Sequence, residues 1–241
     1  MKRLLVLLLI GLMLSNIGCR RVTIVSDSLL ATDKAVLFSH INTEDNWIYT
    51  DHIVGGTTSY TNPILKDIYS IGMVEAFSYP DATVMSFGTN EAAAIYQGKV
   101  DYESAFESFW RLAHQAVEAG SRCIVLFEGS HTIYSPDQAV QASLNSTLTN
   151  WFYDMHQMEG VRVYLDYEYK FVIASISDII ETDVTRYISD YVHLTQEGTI
   201  EAGKAISNAL NSCPDGRWVF EANTLKEGET PSTPPHYILV R

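Results

Sequence analysis

The stretch Val22-Thr23-Ile24-Val25-Ser26-Asp27-Ser28-Leu29-Leu30 begins as a β-branched run and breaks into three polar residues before apolar residues resume. A run that is apolar on both faces suits a strand covered on both sides, and such strands belong to parallel sheets. Further runs repeat the pattern: "NWIYTDHIV" from Asn46, "ATVMSF" from Ala82, "RCIVLF" from Arg122 and "VRVYLDY" from Val161. Between them, Asn62–Phe77, Tyr102–Ala119 and Pro136–Met158 carry apolar side chains at spacings of three and four, which predicts helices with one buried face. After Thr195, "QEGTIEAGKAISNALNS" predicts a last amphipathic helix that stops at the "CPDG" breaker. Strands alternating with helices predict an α/β fold: a three-layer α/β/α sandwich around a mainly parallel, five-stranded sheet.

The chain has 241 residues, 46% of them hydrophobic, enough to bury one full core, so one globular domain is expected. Its net charge of −13, with no basic run after Arg20-Arg21, excludes a nucleic-acid partner. The amino terminus reads as an export signal: Lys2-Arg3 is its positive end, Leu4–Leu14 is almost wholly apolar, and Gly18-Cys19 closes it. That apolar run falls short of the ~20 residues that span a bilayer. The segment "SNIGC" resembles the lipobox of bacterial lipoproteins, with Asn16 where that pattern has Leu. The resemblance implies a lipid on Cys19. An uncleaved hydrophobic anchor and ordinary signal cleavage are the alternatives. The expected organisation is a leader over 1–19, a domain over 20–221, and a polar, Pro-rich tail over 222–241 whose "YILV" attaches to the body or to a sheet edge. The expected location is the bacterial cell envelope as a lipoprotein, or otherwise secretion. Cys123 is read as a small buried hydrophobe; an oxidising compartment permits a bridge to Cys213, but the spacing does not argue for one.

Open parallel sheets bind ligands at the carboxyl ends of their strands. Ser26, Asp27 and Ser28 lie at such an end, and taken alone they would be a helix cap. Gly55-Gly56 ends the second strand run, Gly88-Thr89-Asn90-Glu91 follows the third, and Asp190-Tyr191-Val192-His193 precedes the last helix. Each alone is ordinary turn chemistry. Together, in this order, they resemble the blocks of the SGNH hydrolases, also called GDSL-type esterases: Gly-Asp-Ser at Ser26–Ser28, a loop glycine at Gly56 with Gly55 as the alternative, Gly-x-Asn-Asp at Gly88–Glu91, and Asp-x-x-His at Asp190–His193. The likeness spans about residues 22 to 212.

This resemblance implies a flavodoxin-like sandwich and a serine esterase. It assigns Ser28 as nucleophile, His193 as base and Asp190 as the carboxylate that orients the base. It assigns the oxyanion hole to the backbone N–H of Ser28, the backbone N–H of Gly56 and the side-chain amide of Asn90. Ser26 stands where the family has glycine, leaving a second hydroxyl beside the nucleophile, and Glu91 stands where it has aspartate. His131 is the rival base, without a carboxylate at a matching spacing after it. The histidines form no metal-ligand spacing, so no metal and no organic cofactor are expected. The expected partner is a small acyl ester, with an acylated glycan or a lipid ester as candidates, and the membrane is reached through an amino-terminal lipid or hydrophobic anchor. Acyl transfer and non-catalytic binding on the same fold are the competing readings.

Overall fold

A computed structural model describes residues 20–41, 47–53, 55, 58–59, 80–190, 192–221 and 236–240. Five strands run parallel: β1 (Arg20–Ser26), β2 (Trp47–Ile53), β3 (Ala82–Ser86), β4 (Cys123–Glu128) and β6 (Tyr167–Ser175). A sixth, β5 (Gly160–Tyr164), pairs antiparallel with β6 at the edge, giving the order β2-β1-β3-β4-β6-β5. Successive residues face opposite sides of the sheet. Thus Val25, Met85 and Leu126 enter one core while Ile24, Val84 and Val125 enter the other.

Seven helices are described: α1 (Lys34–Ile41), α2 (Thr89–Tyr96), α3 (Tyr102–Glu118), α4 (Gln138–Met158), α5 (Ser177–Thr182), α6 (Val184–Tyr187) and α7 (Gln196–Asn211). α3 and α4 cover the first face, where Phe109, Leu112, Leu148 and Trp151 are buried; α1 and α7 cover the second with Leu37, Ile41, Ile206 and Leu210. α1 and α7 approach closely at Gly203, where a Cβ would stand 2.7 Å from the Cβ of His40 and 3.0 Å from the carbonyl oxygen of Leu37. The three-layer sandwich is as the sequence predicts, and α3, α4 and α7 lie where the periodicity puts them, their starts fixed by Asp101, Asp137 and Thr195 as N-caps. The helix expected over Asn62–Phe77 lies outside the described residues.

Three expectations need correction. "VRVYLDY" is not the fifth parallel strand but the first arm of a hairpin; its burial alternates, as on an edge, and Leu165 and Asp166 turn the chain with φ of 48° and 67°. The fifth parallel strand is β6, so the sheet has six strands. Cys123 is a buried residue but also a bridged one: a disulfide joins it, at the amino end of β4, to Cys213 after α7. Of the two attachments expected for "YILV", the edge of the main sheet is not the one seen: β8 (His236–Val240) pairs antiparallel with β7 (Arg217–Glu221), the last strand of the 20–221 stretch, in a separate two-stranded ribbon.

Candidate active site

The chain runs from β1 out to β2 on one side and from β3 to β4 on the other, so the sheet changes winding direction between β1 and β3. A crevice at the carboxyl ends of those two strands is the place this topology offers a ligand. Ser28 follows β1 and Asn90 follows β3.

The two hydroxyls of the first block have different surroundings. Ser26 is fully buried and its Oγ donates to the carbonyl of Asp27 at 3.0 Å. Asp27 is also buried; its N–H continues the ladder to the carbonyl of Ser86, and its carboxylate caps the 3-10 turn Ser28–Leu30 by accepting from the N–H of Leu29 at 2.9 Å. Ser28 opens that turn, with its Oγ 3.0 Å from Nε2 of His193. Nδ1 of His193 lies 3.0 and 2.9 Å from the two carboxylate oxygens of Asp190. The N–H of His193 donates to the same carboxylate at 3.1 Å, closing a tight loop. Asp190 has φ of 31°, a left-handed conformation that aspartate tolerates better than most residues. The loop is pinned by Ser189, whose N–H and Oγ both donate to the carbonyl of His193, and by the bridge between Ile188 and Leu194. Hydrogen bonds from the His193 ring, then from its backbone, hold the Asp190 carboxyl below its ordinary range.

The second and third blocks are tied together by Glu91, which is wholly buried. Its Oε1 accepts from the N–H of Ser59 at 2.6 Å and its Oε2 from the N–H of Gly88 at 2.7 Å, so it fastens the loop after β2 to the start of α2. Gly88 has φ of 132°, and a Cβ there would meet the indole of Trp151 at 3.0 Å; only glycine fits. Asn90 donates from Nδ2 to Asp27 Oδ2 at 3.3 Å, which aims its amide along the carboxyl end of β1. Burial, and then the charge of Glu91, push Asp27 up to about 8 against hydrogen bonds from Leu29 and Asn90. Burial likewise raises Glu91. Gly56 lies outside the described residues, whereas Gly55 is beside the serine: a Cβ on Gly55 would be 3.7 Å from that of Ser28.

His131 has a carboxylate after all, three residues before it instead of after it. Glu128 ends β4 with its side chain buried and contacts Nε2 of His131 through one oxygen, and Nε2 of His156 on α4 through the other at 3.0 Å. Burial raises the Glu128 carboxyl, but hydrogen bonds from His131, Ser175 and His156 outweigh it and hold it low, and Glu128 in turn raises His131. This cluster does not include Ser28, whose imidazole partner is His193. Among the described residues no group of three His, Cys, Asp or Glu side chains is placed to hold a metal ion. Chemically, a hydroxyl facing an imidazole whose other nitrogen faces a carboxylate is set up for proton removal from that hydroxyl. Sequence reasoning missed Glu91 as a brace and Glu128 as a histidine partner; spacing of Glu128 three residues before His131 was the available signal for the latter.

No protein-family model matches the chain, and no curated protein matches it. Solved structures share its fold. A GDSL-like lipase from Bacteroides thetaiotaomicron superposes with a TM-score of 0.52 at 17% identity, over 80% of this chain and 88% of its own. The C-terminal catalytic domain of the Streptococcus pneumoniae peptidoglycan O-acetyltransferase A gives 0.55 at 12% identity, over 81% and 94%. A variant of an acetylxylan esterase from Geobacillus stearothermophilus gives 0.52 at 12% identity, over 79% and 94%. The chain therefore has the mainly parallel three-layer α/β fold on which these enzymes are built.

Proposed function

We propose that the chain is an exported serine esterase of the SGNH type, with Ser28 as nucleophile, His193 as general base and Asp190 as its orienting carboxylate. The observation that carries this reading is the unbroken line from Ser28 Oγ to His193 Nε2 and from His193 Nδ1 to Asp190. As Ser28 Oγ attacks the ester carbonyl, its proton passes to Nε2, and Asp190 stabilises the imidazolium without taking the proton. Negative charge then collects on the carbonyl oxygen. Its donors are the N–H of Ser28, the N–H of Gly56 or its neighbour Gly55, and the side-chain amide of Asn90, which Asp27 holds at the carboxyl end of β1. The alcohol leaves with the proton from His193, and water, deprotonated in turn by His193, releases the acid. No residue in this sequence of steps calls for a metal or organic cofactor.

An acyl ester of a glycan is the substrate we favour, because an acetylxylan esterase and a peptidoglycan O-acetyltransferase are among the solved structures that share this fold. The latter also supports a second reading, in which a sugar hydroxyl replaces water and discharges the same acyl-enzyme. The leader over 1–19, ending in Cys19, supports export and a membrane anchor. The test is hydrolysis of aryl esters of increasing acyl length, with and without a sugar acceptor. Ser28→Ala should lower turnover on the order of 10⁶-fold, whereas Ser26→Ala should leave it nearly unchanged because that hydroxyl is buried against Asp27. A folded protein that turns over none of these esters and transfers no acyl group would instead be a binding module.

A further inference from the structure

We infer that the tip of the β5–β6 hairpin is a second point of contact with the lipid bilayer, separate from the amino-terminal anchor and independent of the catalytic reading. Few large apolar side chains are exposed among the described residues, and three of them adjoin: Val161 at 56%, Val163 at 68% and Leu165 at 62%. They alternate with Arg162 and Tyr164, whose face is turned toward the covered side of the sheet, where Tyr164 stacks on His114 of α3 and donates to Glu118. On the other face α7 packs against β4 and β6, and the outer face of β5 stays open.

The row of strand partners places this open strip in the molecule. Val22, Ala82, Cys123, Lys170 and Val161 lie in one row across the sheet. Two rows further toward the amino end, Arg20 of β1 stands level with Glu168 and Val163. The hairpin continues one more row and then turns, so Leu165 projects from the amino end of the sheet, opposite the crevice that holds Ser28. Four strand spacings, about 19 Å, separate β1 from β5. The chain that precedes Arg20 carries the apolar run Leu4–Leu14 and Cys19. The inference rests on reading this segment as a membrane anchor, by lipid or by that run, and not as a cleaved signal; an anchor there brings the bilayer to the end from which the tip projects.

Two more features fit a lipid surface. Leu165 adopts φ of 48°, a conformation a turn would more readily give to Asn or Gly, and its exposed side chain gains nothing from folding. Arg21, Arg122 and Arg162 share one row, with Arg20 and Lys170 in the adjoining rows, and they stand against the carboxylates of Asp81, Glu168, Asp215 and Asp166, the last in the turn itself. In a chain of net charge −13, these cations offset part of the repulsion between this end and an anionic headgroup layer. A second copy is a poorer occupant, because antiparallel pairing of two β5 edges centred on Arg162 sets like charges opposite each other.

The test uses the full chain in vesicles of phosphatidylcholine and phosphatidylglycerol, carrying an environment-sensitive dye on Leu165→Cys or, as control, on Ala139→Cys at the opposite end of the sheet. Both labelled chains must keep the melting temperature of the unlabelled one. Brominated acyl chains in the vesicles should quench the dye at 165 several-fold more than the dye at 139, and V163D in the labelled chain should abolish the difference. Equal quenching at the two sites, or a chain that does not sediment with the vesicles, would overturn the proposal. So would a dye at 165 that is shielded from water but untouched by brominated lipid in a particle of twice the monomer mass, which would assign the strip to a second copy. Ester hydrolysis enters none of these readings, so a failure here leaves the catalytic proposal standing, and the reverse.

Discussion

Asp27 and Glu91 are the residues on which the candidate site depends without either touching the proposed substrate. Both carboxyls are buried, and both stand above their ordinary range, chiefly through burial. Asp27 takes up a proton near pH 8 in the folded chain but near 3.8 when unfolded. The folded chain thus binds this proton more tightly, so the contribution of Asp27 to stability is fully present below about 3.8 and is lost as the pH rises toward 8, on the order of 5 kcal/mol in all. Asp27→Asn should flatten that fall in a series of denaturant melts between pH 4 and 9; a slope unchanged by the substitution would show that Asp27 is not its source. Glu91→Gln keeps the shape but loses an acceptor for one of the two N–H groups of Ser59 and Gly88. It should cost about 1–3 kcal/mol and lower turnover more than it lowers stability, since the loop next to Ser28 is what it anchors. Asn90→Ala should lower turnover by about 10²–10³-fold with little change in substrate affinity if its amide serves the oxyanion.

At the scale of elements, the disulfide between Cys123 and Cys213 links the central strand β4 to the end of α7, the helix whose first turn follows His193. A closed loop of 90 residues is worth about 4.6 kcal/mol by chain entropy alone. Cys213→Ser should therefore lower stability by roughly 2–5 kcal/mol, seen as a shift of the urea midpoint that reductant reproduces in the unaltered chain; no shift would mean that the bridge adds nothing to the fold. No local pattern announces such a bridge, because residues that far apart in sequence leave no geometric trace in it. The β5–β6 hairpin was hidden for a different reason. Its turn uses Leu165 and Asp166 in place of Asn-Gly, and the run into β6 reads on without a breaker. The helices that could be read, α3, α4 and α7, are long, amphipathic and capped, whereas α5 and α6, of six and four residues between β6 and the His193 loop, carry no period long enough to detect.

Across the whole molecule, what was legible is what repeats or is local: alternating strands and helices, and short polar blocks at strand ends. Ser28 and Asn90 lie far apart in sequence yet meet through Asp27, because β1 and β3 are neighbours in the sheet. Only the topology makes them so. The long-range brace of Glu91 on Ser59, and the clamp of Glu128 on His131 and His156, required the packed chain to be seen, since a single buried carboxyl carries no sequence signature of its partners. The architecture also separates tasks by end, with the Ser28–His193–Asp190 line at the carboxyl ends of the strands and the apolar hairpin tip at the amino end. The measurement that bears most directly on the central claim is peptide mass spectrometry of the folded protein after reaction with a fluorophosphonate, a reagent that modifies only a serine activated by a base. The expected result is one adduct, on Ser28, lost in His193→Ala and retained in His131→Ala; an adduct on another serine, or a protein left unmodified, would contradict it.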